Sequence, residues 1–141
     1  MFNTLKKRIK NEKGLSLVEL LAVIVILAIV AAIAIPAIGN IINNSRDKAE
    51  ISDAINIIAG GKLAHIEKGC GVADSGCTGA DLEEFVDGID VSGIIVKLDE
   101  NEWVIEKYPF SSRVTTKFTD IKVASTNEQA LKTALSGEKD E

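Results

Sequence analysis

The sequence predicts an α+β fold: a long N-terminal α-helix, membrane-spanning in its first half, packed on a small antiparallel β-sheet. Three observations predict it. Residues 20–45 contain no charged side chain. Beyond them, apolar residues recur at spacings of three and four as far as Ile66. The remainder carries short β-branched or alternating runs separated by turn residues. A chain of 141 residues suffices for one domain of ordinary size.

The first element is the membrane segment. The first 14 residues hold Lys6, Lys7, Arg8, Lys10 and Lys13 against Glu12 alone. The rest of the chain holds 11 basic and 20 acidic side chains. So acidic a body repels a nucleic-acid backbone and argues against general nucleic-acid binding. Residues 20–39 form an uncharged, almost wholly apolar run whose helical length, about 30 Å, matches a bilayer core. With the basic cluster before it, the positive-inside rule places the N-terminus in the cytoplasm and residues after Asn40 outside. No lipobox-type cysteine follows the basic start, so a lipoprotein anchor has no residue to use. A secretory signal is one reading, with Ala32-Ile33-Ala34 as its cleavage pattern. The length of the run, Pro36 at the second position after that cut, and Glu19 inside it count against this. A simple uncleaved anchor is another reading, but a carboxylate costs ~2.5–3.5 kcal/mol at the centre of a membrane helix, less near an end.

The segment KGLSLVELLAVIVILAIVAAIAIP, residues 13–36, resembles the N-terminal signature of the type IV pilin and pseudopilin family. That signature is a short basic leader ending in glycine, a hydrophobic residue after the cut, and a glutamate five places beyond the glycine. A long apolar helix follows, often with a proline near its end. Gly14, Leu15, Glu19 and Pro36 fill those positions, and Leu15 stands where the family most often has phenylalanine. The resemblance covers residues 1 to about 45. It implies a pilin-like fold, cleavage by a prepilin peptidase between Gly14 and Leu15, and N-methylation of Leu15. It also implies polymerisation from a pool in the cytoplasmic membrane, driven by machinery with a separate ATPase. Glu19 then receives the amino group of a neighbouring subunit. Pairing two desolvated charges specifies the axial register, because an unpaired buried carboxylate costs several kcal/mol.

The expected organisation is therefore a cleaved leader (1–14), a transmembrane and assembly helix (15–39), its amphipathic continuation (40–68) and a globular sheet domain (69–141). Pro36 cannot donate to the carbonyl of Ala32, and Gly39 loosens the helix three residues later. The pair marks a weak point, read either as a gentle kink or as a stretch that bends or melts within a filament. Beyond it Ile38, Ile41, Ile42, Ala49, Ile51, Ala54, Ile55 and Ile58 predict an apolar face, opposite Arg46, Asp47, Lys48, Glu50 and Asp53. Gly60-Gly61 reads as a stop or a tolerated soft spot. Leu63 and Ile66 keep the period, which extends the helix to about Lys68 with Gly69 as its cap.

In the globular part, TGADLEEFV predicts a brief helix with Thr78 and Asp81 in capping-box spacing. VSGIIVKL and WVIEKY predict two strands joined by the turn DENE, with Ile94, Val96 and Leu98 on one face. SRVTTKFTDIKV, rich in β-branched residues, predicts a third strand. STNEQALKTAL predicts a C-terminal helix with Ser125 and Glu128 in capping-box spacing, before a solvated tail.

Chemistry is sparse. Cys70 and Cys77, among glycines and outside the membrane in this topology, are expected to form a disulfide. Their spacing does not match the paired ligands of a zinc site. His65 is the sole histidine, and no nucleophile has a partner for catalysis; no metal or cofactor site is predicted. Asp99, Glu100, Asn101 and Glu102 are ligands of the type calcium uses, with a solvated turn the simpler reading. Lys107, Arg113, Lys117 and Lys122 give the last two predicted strands a basic character, read as a DNA contact or as solvated strand faces. The expected function is that of a structural, non-enzymatic subunit of a type IV pilus-like filament, extracellular once assembled. A pseudopilin of a type II secretion or competence system is the alternative within the class. A monomeric membrane-anchored or secreted binding domain is the alternative outside it.

Overall fold

The computed structural model describes residues 2–71 and 75–137, with side chains from residue 16 onward. The elements run α1 (Phe2–Lys68), β1 (Cys77–Thr78), α2 (Gly79–Leu82), β2 (Ile95–Asp99), β3 (Glu102–Glu106), α3 (Ser112–Lys117), β4 (Ser125–Asn127) and α4 (Glu128–Ser136). The chain divides into two compact units, Met1–Asn43 and Asn44–Glu141. The first contains helix only. The second, the head, holds the rest of α1 and all four strands.

The sheet is antiparallel throughout, in the order β1-β2-β3-β4. Its centre is the β2–β3 hairpin, in register from Ile95 opposite Glu106 to Asp99 opposite Glu102. Glu100 and Asn101 turn it with φ of 45° and 76°, the left-handed pair that matches the strands' own twist. Ile51, Ala54, Ile57, Ile58 and Ala64 of α1 join Leu82, Ile94, Val96, Ile105 and Leu131 in the buried core. Helix α1 stops where expected: Gly69 takes φ 71° and its N–H bonds the His65 carbonyl at 2.9 Å.

Several expectations are corrected. Leu63 and Ile66 lie on the outer face of α1, 54% and 80% exposed, and Ala49 is exposed as well. Ile57 and Ala64 take the core positions instead, because the stripe that meets the sheet drifts around the helix relative to the one drawn from sequence. Asp47, assigned to the solvent face, is 3% exposed. Gly60-Gly61 is neither a stop nor a soft spot but the seam at which α1 touches the head. A Cβ at Gly60 would lie 2.4 Å from Val86 Cγ2, and one at Gly61 2.5 Å from Val96 Cγ1.

The predicted third strand is a helix. Ser111 caps α3 by accepting from the Val114 N–H, and Val114 fills the core, so local capping and burial override β-propensity. The outer strands are instead the short β1 and β4. Helix α4 is capped not by Ser125 but by Asn127, the residue directly before it, whose side chain accepts from the Ala130 N–H at 2.9 Å. The brief helix α2 does form. The Thr78 N–H and hydroxyl both bond the Asp81 carboxylate, at 3.0 and 2.9 Å.

Candidate functional site

The first unit, described by itself, is a helix with an apolar surface. Leu20 is 68% exposed, and Ile33 and Ile35 are 70% exposed. Ser16–Lys68 is long and apolar enough to cross a membrane, by length and composition. Burying each such side chain is worth ~1.5–3 kcal/mol, so the face is stable only when lipid or another protein covers it. Glu19 sits near the N-terminal end of this surface, exposed, and no hydrogen bond or ion pair reaches it among the described residues. Helix α1 is continuous through Pro36 and Gly39. A Cβ at Gly39 would meet nothing within 4 Å, unlike the seam glycines of the head. Gly14 and Leu15 lie outside the residues whose side chains are described.

At the far end of α1, Cys70 and Cys77 are joined in a disulfide. Cys77 Sγ lies 3.6 Å from the Gly61 carbonyl oxygen. His65 Nδ1 bonds the Cys70 carbonyl, and its ring meets Trp103 edge-on at 5.4 Å. The bridge thus ties the end of α1 to β1, and His65 and Trp103 close over it. His65 is a half-buried packing residue here.

At the start of the head, three polar side chains of α1 hold α3. Ser111 donates its N–H and its hydroxyl to the Glu50 carboxylate, the hydroxyl at 2.8 Å. Arg113 Nε lies 3.1 Å and Lys117 Nζ 3.7 Å from the Asp47 carboxylate. Lys117 Nζ also donates to Asn44 Oδ1 at 2.8 Å. The Tyr108 hydroxyl donates to the Glu50 carbonyl oxygen at 3.2 Å. Burial, then the negative charges of Asp53 and Glu50, push the Tyr108 ionisation up to about 12. Sequence reasoning missed this clamp. Its signal was Asn44, Asp47 and Glu50 at three-residue spacing, one helix face reserved for polar groups.

The residues that raised the DNA reading do not share one strand face, and those that raised the calcium reading sit at the β2–β3 turn. Among the described residues no group of three or more His, Cys, Asp or Glu side chains is arranged to hold a metal ion. Asp99, Glu100 and Glu102 line an open cleft with Asp120 and Lys122. Glu102 also accepts from Asn127 Nδ2 at 2.8 Å. Arg113 and Lys117 are on α3, engaged with Asp47, rather than on a strand face.

Residues 9–35 match the family described as the prokaryotic N-terminal methylation motif. No curated protein and no solved structure matches the chain. The motif stands on a long apolar helix, and the head carries a small antiparallel sheet; this pilin-like α+β architecture supports a reading of the chain as a type IV pilin-like prepilin. Proteins of this class are structural. An apolar helix of this length suits membrane anchoring of such a precursor, and the motif is of the kind that prepilin peptidase processes before polymer assembly.

Proposed function

We propose that the chain is the precursor of a structural subunit of a type IV pilus-like filament. The peptidase cuts between Gly14 and Leu15 on the cytoplasmic side, and the new Leu15 amine is methylated. Apolar helices of successive subunits then cover one another's exposed faces, and Glu19 of one accepts the amine of the next. The head stays outside the membrane and forms the filament's outer surface. The observation that carries this reading is the methylation motif placed on a long helix with an exposed apolar surface.

Glu19→Ala tests it. Membrane insertion should be unchanged or improved, since a carboxylate is removed from an apolar helix. Filament yield, counted by electron microscopy and sheared-fraction blotting, should fall at least about tenfold, as expected from losing a pair worth several kcal/mol. Normal filaments from the variant would refute the role of Glu19. Intact mass and N-terminal sequence of the exported protein supply the second arm. A methylated start at Leu15 is expected, and a start at Ile35 would replace this reading with a secreted domain.

A further inference from the structure

The start of the head carries a set of charges that filament assembly through Glu19 does not use. Residues 44–141 carry a net charge of −8, from 11 basic and 19 acidic side chains. Four of the 11 basic residues gather at one end: Arg46 and Lys48 on α1, Arg113 and Lys117 on α3. Within 44–50 and 111–117 only Asp47 and Glu50 oppose them, which leaves +2 in an otherwise acidic head.

Their positions follow from contacts within the head. Asp47 faces α3 and draws in Arg113 Nε at 3.1 Å and Lys117 Nζ at 3.7 Å. Despite these pairs the Arg113 and Lys117 side chains stay 48% and 45% exposed. Arg46 and Lys48 lie one residue either side of Asp47, about 100° around the helix in each direction, and both are exposed. They flank the α3 contact. Asn44 and Asp47 line a shallow cleft with Ser112, Arg113, Thr116 and Lys117, so hydroxyls accompany the cations. In sequence, Asn44 is five residues past Gly39, where the apolar run ends. Helix α3 is therefore fastened to the first turns of α1 beyond the membrane segment.

We propose that, in the anchored precursor, this end of the head docks on an anionic lipid surface. Arg46, Lys48, Arg113 and Lys117 meet lipid phosphates there. The proposal rests on membrane anchoring of the apolar helix. Each Lys or Arg at an anionic surface favours contact by roughly fivefold, and the attraction dies away within a Debye length of about 8–10 Å. The acidic remainder of the head is repelled by the same surface, so contact selects this face.

The test uses the full chain in lipid nanodiscs, zwitterionic or one-third phosphatidylglycerol, with a headgroup-spin-labelled lipid. Broadening of the amide signals of residues 112–117 is measured by NMR. We expect about threefold more broadening with anionic lipid, abolished by high salt and at least halved in Arg46→Gln/Lys48→Gln. That double variant leaves every contact of Asp47 and Glu50 in place, and its melting curve checks that the head is intact. Equal broadening in the two lipids, no change in the double variant, or broadening centred elsewhere on the head overturns the docking surface alone. Failure of residues 20–39 to enter the bilayer overturns anchoring and docking together.

Discussion

Val96 of β2 occupies the space that a side chain at Gly61 of α1 would need: a Cβ there would fall 2.5 Å from Val96 Cγ1 and 2.7 Å from its Cβ. Helix and strand come this close only because Gly61 has no side chain. In an exposed helix Gly→Ala would stabilise by about 1 kcal/mol. Here overpacking, typically ~1–3 kcal/mol, opposes that gain. Gly61→Ala should lower head stability by about 1–2 kcal/mol in urea unfolding. Gly61→Ala/Val96→Ala should cost less than the two single changes summed. A stabilised Gly61→Ala protein would show that the seam is not tight.

Glu50 should matter more than its partly exposed position suggests. Its carboxylate satisfies both the backbone N–H and the hydroxyl of Ser111, the residue that starts α3. Glu50→Ala leaves those donors to water and should cost about 1–2 kcal/mol. Amide exchange across residues 112–117 should accelerate while exchange in β2 and β3 stays slow. Uniform acceleration throughout the head would mean that Glu50 supports more than α3.

The disulfide closes a loop of eight residues from Cys70 to Cys77. The chain-entropy model gives about 2.5 kcal/mol for such a loop. Reduction, or Cys70→Ser/Cys77→Ser, should lower the unfolding midpoint accordingly and loosen the two-residue strand β1 first. An unchanged midpoint after verified reduction would deny the bridge any stabilising role.

Acid should loosen the contact between α1 and α4. Burial pushes Glu128 up, but hydrogen bonds from Lys132 and Lys62 outweigh it and hold the carboxyl below its ordinary value of 4.5. Lys62 Nζ lies 2.6 Å and Lys132 Nζ 2.7 Å from its two oxygens. A carboxyl depressed on folding stabilises the folded chain above its unfolded value, and that stability is lost as pH falls through the folded value. Melting temperature should therefore drop below about pH 4.5 in the parent and drop less steeply in Glu128→Gln. Parallel curves would remove Glu128 from the acid response.

The helical content of α1, its end at Gly69, the central hairpin and the short helix α2 were all legible, because each is specified by neighbours in sequence. Periodicity, a left-handed glycine cap, a two-residue turn and a capping box are local signals. The region after Phe110 was misread because its β-branched residues favour a strand, while the deciding groups lie far away on α1. Glu50 reaches Ser111 across 61 residues of chain, and Asp47 reaches Arg113 across 66. Asp47 itself could not be placed inside the protein until those cations were known to stand beside it.

The sequence alone determined the methylation motif at the N-terminus. Its residues, 9–35, lie next to one another in the chain and need no folding to be read. It also determined that an α-helix would meet an antiparallel sheet, because hydrophobic period distinguishes the two. Only the tertiary structure decided which side of α1 faces the head, why Gly60 and Gly61 are glycines, and that Asn44, Asp47 and Glu50 form a clamp. Those outcomes depend on close packing and on pairing of buried charge between segments some 60 residues apart, which no local pattern encodes.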